Sequence, residues 1–153
     1  MKYLANFILL IFILIFAQAC FQRQILIEQE KYQIRTFILK LGVKFDTTPC
    51  GVYYRIDSLA DSNHIKMIQP DDTVMLVYTG YNLDKNEQIF VKNDTVFVWV
   101  NDPFLMEGWR EIFLRIPHKA YGQAIFPFYT AFDKKRILNI PPYSTLYFKF
   151  YVQ

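Results

Sequence analysis

The sequence predicts an α+β fold: a curved antiparallel sheet with one short helix covering a face, preceded by a signal peptide and an N-terminal helix. Three observations carry this. Apolar residues recur at helical spacing over residues 22–41. From Gly51 onward the period changes to two and returns in segment after segment. A short helical stretch opens at Trp109, between two of those segments.

The first twenty residues, MKYLANFILLIFILIFAQAC, combine a basic start at Lys2, an apolar run from Phe7 to Phe16 and Ala17-Gln18-Ala19 before Cys20. This is the pattern of a secretory signal, expected over 1–19. The apolar run is too short to cross a bilayer comfortably, so an uncleaved anchor is the weaker alternative. Cys20 stands where the lipid-bearing cysteine stands in the lipobox of bacterial lipoproteins, with Ala17 where leucine is usual. Ala17-Gln18-Ala19 also suits an ordinary signal peptidase. Lipidation of Cys20 is the expectation, because an exposed free thiol at a mature N-terminus is the other outcome. The remaining cysteine is Cys50. With Cys20 lipidated no disulfide forms; with Cys20 free, a Cys20–Cys50 bridge is open in an oxidising compartment.

Over 22–41, Ile27, Ile34, Phe37, Ile38 and Leu41 alternate in helical period with Glu28, Glu30, Lys31, Arg35 and Lys40, and Gly42 marks the stop. Residues 20–48 are read as a lipidated N-terminus and helical spacer, its apolar stripe on the domain's side. FDTTPCG breaks the pattern, and residues 49–153 form the domain. In VYYRID, Val52, Tyr54 and Ile56 share one face. DDTVMLVYTGYNL is apolar on both faces, as a central strand is. Lys85-Asn86 marks a turn, TVFVWV is a further strand, and Asn101-Asp102-Pro103 ends it before the helix at Trp109. GQAIF is strand-like up to Pro127, and AFDKKRILNIPP is a long loop. STLYFKFYV alternates Leu146, Phe148, Phe150 and Val152 with Tyr147, Lys149 and Tyr151.

Composition narrows the function. The chain is 53% hydrophobic and 18% aromatic, enough for a real core even after the leader is set aside. The net charge of +3 is scattered, and Lys134-Lys135-Arg136 is the one basic run, read as a solvated loop. No continuous basic face exists, so nucleic acid is not an expected partner. Two cysteines and the distant His64 and His118 lack ligand spacing, so no metal is expected, and no cofactor.

DDTVMLVYTGYNL, EGWREI and NIPPYSTLYFKFYV resemble, in that order, the blocks of FKBP-type peptidyl-prolyl isomerases: G-D-x-V-x-V-x-Y-T-G, V-I-x-G-W-x-E and I-P-P-x-S-T-L-x-F. The resemblance covers about the last 100 residues, a normal domain length. TTPCGVYYRID is similar to the lead-in of FKBP-like envelope lipoproteins, some associated with gliding motility or secretion machinery. The resemblance implies a half-open sheet around a short helix, with the pocket between them.

It also implies roles. Tyr78 matches the pocket tyrosine and Trp109 the pocket floor. Leu105 and Met106 match the pair before Gly-Trp, with the Met106 N–H holding the ligand carbonyl. Phe148 matches the wall phenylalanine, and Ile140 the apolar residue before Pro-Pro. Phe132 falls where a tyrosine normally offers its hydroxyl, and Ile89 or Phe90 matches the phenylalanine of an F-D pair. The departures are the missing Asp after that phenylalanine, the lost hydroxyl at Phe132, Asp133 in place of a glycine, and Val96 where a pocket aromatic is usual. An apolar shell survives while two polar orienting groups do not. The expected function is weak prolyl isomerase activity on proline-containing segments of exported proteins, in a bacterial envelope to which a lipid on Cys20 anchors the chain. The alternative is a catalytically silent module in an envelope complex, using Tyr81, Phe128 and Tyr129; Tyr53, Phe97, Trp99 and Tyr151 are read as ordinary sheet packing.

Overall fold

The computed structural model describes the backbone from residue 2 and side chains from residue 21 to residue 153. The signal peptide expected over 1–19 and the lipid expected on Cys20 fall outside the residues whose side chains are described. The chain forms two compact units, residues 1–43 and 44–153.

The first unit is helix α1, Lys2–Leu41. It begins well before residue 22, where the polar periodicity starts. Neither Gly nor Pro occurs between residues 2 and 41, so nothing interrupts the backbone ladder. Its end is where the sequence puts it: Gly42 adopts φ 67°, and its N–H reaches the carbonyls of Ile38 and Leu39 at 3.2 Å. Among residues 21–153, no helix is long and apolar enough to cross a membrane.

The second unit is a six-stranded antiparallel sheet with one short helix. The strands are β1 (Asp46–Thr47), β2 (Tyr53–Leu59), β3 (Thr73–Asn82), β4 (Gln88–Trp99), β5 (Ala120–Phe126) and β6 (Leu146–Val152). Their order is β1-β2-β5-β6-β3-β4. Helix α2, Glu107–Phe113, lies between β4 and β5 in sequence. Its Trp109, Ile112 and Phe113 join Leu76, Ala124, Phe126, Phe148, Phe150 and Val152 of the sheet in one core. Register shifts after Ile56 in β2 and around Gly80 in β3 mark bulges, which bend a sheet toward an element on one face.

Several elements differ from the sequence reading. FDTTPCG is a tight hairpin corner: Asp46 and Thr47 pair with Tyr54 and Tyr53, and the Thr48 hydroxyl accepts the Val52 N–H at 3.2 Å. Strand β4 runs twelve residues, where alternation alone showed only TVFVWV. Its middle, Lys92-Asn93-Asp94, is polar because it is a bulge: Asn93 takes φ 48° and both gives to and receives from the Thr79 hydroxyl at 3.0–3.1 Å. Ile56 is 38% exposed, although it keeps the register of Tyr54 up to the bulge that follows it. Tyr147, on the outward face of β6, is buried beneath Tyr81, ring centroids 5.3 Å apart, and its hydroxyl donates to Gln123 at 2.6 Å. His118 pairs with Asp72 at 3.0 Å, tying the approach to β5 to the approach to β3, whereas His64 is exposed.

Candidate functional site

The site is assembled around the first turn of α2. Gly108 is buried against the ring of Phe126, and a Cβ there would overlap three of its ring atoms. A glycine before the indole is therefore a packing requirement, and it seats Trp109 deep. Trp109 is 5% exposed and meets five aromatic rings. Its centroid lies 4.9 Å from Phe148, 5.1 Å from Phe126, 5.6 Å from Phe113 and Phe150, and 6.0 Å from Tyr78. Edge-to-face geometry prevails in this cluster, which fixes the indole plane.

One side of that indole faces a cavity of about 320 Å³. Six of the residues expected at the site line it: Tyr78, Val96, Leu105, Met106, Trp109 and Phe132. Trp109 is thus both core and cavity wall. Met106 precedes the first residue of α2; its carbonyl accepts the Trp109 N–H at 3.0 Å, while its own N–H has no partner among the described residues. The loop before it is braced. Asp102 accepts the Phe104 N–H on its carboxylate at 2.8 Å, and its carbonyl takes Arg110 at 2.7 Å.

The other expected residues stand behind or away from the wall. Phe148 is 1% exposed and backs Trp109 and Tyr78 without lining the cavity. Phe90 is half-buried and edge-on to Phe148 at 5.9 Å, while its neighbour Ile89 points out of the sheet at 48% exposure. Of the two registers, Phe90 is the one that joins the core cluster. Ile140 is buried in the core and anchors the long loop through a bridge to Ile137. The aromatics of the binding-module reading do not converge here: Phe128 is buried, Tyr129 packs edge-on against it, and Tyr81 lies on the opposite face of the sheet with Tyr147.

Three features of the cavity were not legible in the sequence. Phe97 is 77% exposed at the cavity mouth, not packed on the sheet. Phe104, on the loop before α2, is 95% exposed at the same rim. Asp94 sits directly across the β3–β4 ladder from Tyr78. Burial raises the Tyr78 phenol above its ordinary pKa, and the charge and hydrogen bonding of Asp94 raise it further. A carboxylate therefore stands beside the tyrosine, four positions after Phe90. The hydroxyl is absent: Phe132 presents only a phenyl ring to the cavity.

No family model matches the chain, and no curated protein matches it. Solved structures do. FkpA from Escherichia coli superposes with a TM-score of 0.65 at 19% identity over 82% of this chain, which spans 58% of the FkpA chain. A peptidyl-prolyl cis-trans isomerase from Pseudomonas syringae pv. tomato gives 0.62 at 17% identity, covering 80% of this chain and 89% of that one. AtFKBP13 gives 0.58 at 14% identity, covering 71% and 96%. At these identities the likeness establishes the fold: residues 44–153 form an FKBP-like α+β domain.

Proposed function

We propose that the domain is an FKBP-type peptidyl-prolyl cis-trans isomerase, weaker than the family's usual pocket allows. In this reading it assists the folding of exported proteins in a bacterial envelope, held to a membrane by a lipid on Cys20. The observation that carries the activity is the cavity of about 320 Å³ whose wall combines Tyr78 and Trp109 with Met106, whose N–H is unpartnered among the described residues.

The chemistry asks for little more. Rotation about the prolyl amide faces a barrier of about 18–20 kcal/mol from C–N resonance. No nucleophile or general base is needed to lower it. A water-poor apolar wall disfavours the polar planar amide relative to the twisted one. A fixed donor such as the Met106 N–H holds the substrate carbonyl while the ring turns. Asp94, across the ladder from Tyr78, helps to keep the phenol in its neutral form at the cavity wall. Each 1.36 kcal/mol removed from the barrier gives about tenfold in rate.

A second reading, a silent docking module in an envelope complex such as gliding or secretion machinery, is favoured by one observation: Phe132 lines the cavity without a hydroxyl. Exchange spectroscopy on an Xaa-Pro peptide separates the two. The full chain in detergent micelles is expected to speed cis/trans exchange above buffer, and Trp109→Ala to abolish the gain. Exchange no faster than in buffer with the unmutated chain rejects the enzyme. Membrane attachment that survives Cys20→Ala unchanged rejects the lipid anchor.

A further inference from the structure

Strand β4 is the last of the sheet and pairs with β3 alone. In an antiparallel ladder, residues of a non-hydrogen-bonded pair turn their N–H and C=O to the opposite side. Met75 exchanges both its bonds with Gln153, at 2.9 Å each, on the far side of β3. Its partner across β4 is Phe97. Phe97 therefore directs its N–H and C=O out of the sheet. The register holds without a shift from Thr73–Trp99 to Tyr78–Asp94, so Thr95 and Trp99 do the same.

Two of these outward groups are already used. The Thr95 N–H donates to its neighbour Asp94 at 2.9 Å, and the Trp99 carbonyl accepts the Asp102 N–H at 3.0 Å. Between these closures lie the Thr95 carbonyl, both groups of Phe97 and the Trp99 N–H, with no partner among the described residues. Edge strands are ordinarily blunted by charge or proline. Here Thr95–Trp99 carries neither, and Phe97 and Trp99 are 77% and 48% exposed. The stretch also borders the candidate site, since Val96, Phe97 and Val98 line the cavity.

We infer that this edge takes an extended apolar segment of the same client chain whose proline enters the cavity, adding it as a short seventh strand over Thr95–Trp99. The inference rests on the prolyl reading above. The recognition is by main-chain hydrogen bonds with alternate side chains on either face, so it selects extended, β-branched or aromatic flanks without selecting a sequence. Contiguity favours a client over a second copy, because Val96, Phe97 and Val98 belong both to this edge and to the lining of the cavity that holds Trp109.

Calorimetry on the full chain in detergent micelles tests it with two blocked peptides. One is Ala-Leu-Pro-Phe, and the other is the same core extended on either side by Thr-Val-Thr-Val-Thr. The extended peptide is expected to bind at least about tenfold tighter than the tetrapeptide. N-methylation of alternate flank amides should erase the gain for one set of positions and spare it for the other. Amide exchange at Phe97 should slow with the extended peptide and not with the short one. Equal affinity for both peptides overturns the edge while leaving the prolyl site intact. Extended binding with no tetrapeptide binding overturns the prolyl reading and with it the shared client. Phe97 protection that grows with protein concentration alone shows a second copy on the edge and also overturns the proposal.

Discussion

Gly108 lies against the ring of Phe126 with no space between them for a methyl group. That contact lets the first turn of α2 drop onto the sheet and carries Trp109 into the aromatic cluster. Gly108→Ala gains about 1 kcal/mol of helix propensity. Against this stands overpacking of a buried ring, typically about 1–3 kcal/mol. The net expectation is a loss of up to about 2 kcal/mol, read as a lower urea midpoint with an unchanged slope. A midpoint equal to the parent's would show that α2 can shift freely.

Much of this arrangement is written in local pattern. The alternation of Leu146, Phe148, Phe150 and Val152 specifies the buried face of β6, and all four are buried. A glycine directly before a tryptophan at a helix start signals a close approach, and Gly108 makes one with Phe126. What stays hidden depends on register. Asp94 reaches Tyr78 only because a bulge at Asn93 sets which residues of β4 and β3 face each other, and a bulge leaves no periodic trace. Phe97 alternates like a packed residue, yet among the described residues β4 has no strand on its far side, and strand order cannot be read from the strand itself. Tyr147 reads as an outward residue and is buried because Tyr81 covers it.

Phe132 offers the cavity a phenyl where, in the proposed isomerase, a hydroxyl would orient substrate. Phe132→Tyr adds that donor at a half-buried wall position. A hydrogen bond of this kind contributes about 0.5–1.5 kcal/mol. If it is stronger in the transition state than in the ground state, kcat/KM for an Xaa-Pro peptide rises about two- to tenfold. Thermal melting is the control, expected to stay within about 1 °C if the added oxygen is accommodated. A variant with unaltered melting and unaltered kcat/KM would place Phe132 outside the reacting region.

The Tyr78 phenol titrates above its ordinary pKa of 10.0, first because it is buried and then because Asp94 stands beside it. Asp94→Asn removes the charge and keeps a similar shape. The Tyr78 pKa then falls toward the ordinary value without reaching it, since burial persists. Ultraviolet titration of the difference between the parent and Tyr78→Phe isolates this phenol. The sign is firm: a neighbouring carboxylate opposes a phenolate, so its removal cannot raise the pKa by this route. A rise, or no change, would mean that the two side chains do not interact in solution.

Asp72 joins two loops, accepting the Gln69 N–H at 2.9 Å and His118 at 3.0 Å on the same oxygen. These contacts, the Gln69 N–H foremost, hold its pKa below the ordinary 3.8. A carboxyl lowered on folding stabilises the native state above its unfolded pKa, and that contribution is lost as pH falls through the folded value. Asp72→Asn removes the titration while leaving an acceptor in place. The variant should be less stable than the parent at pH 7, and the gap should close as pH drops below about 4. Urea midpoints at pH 7, 5, 4 and 3 measure the gap directly. A difference that stays constant across that range would assign the effect of the substitution to packing, and would leave the Asp72–His118 tie without an electrostatic share in holding β3 and β5 together.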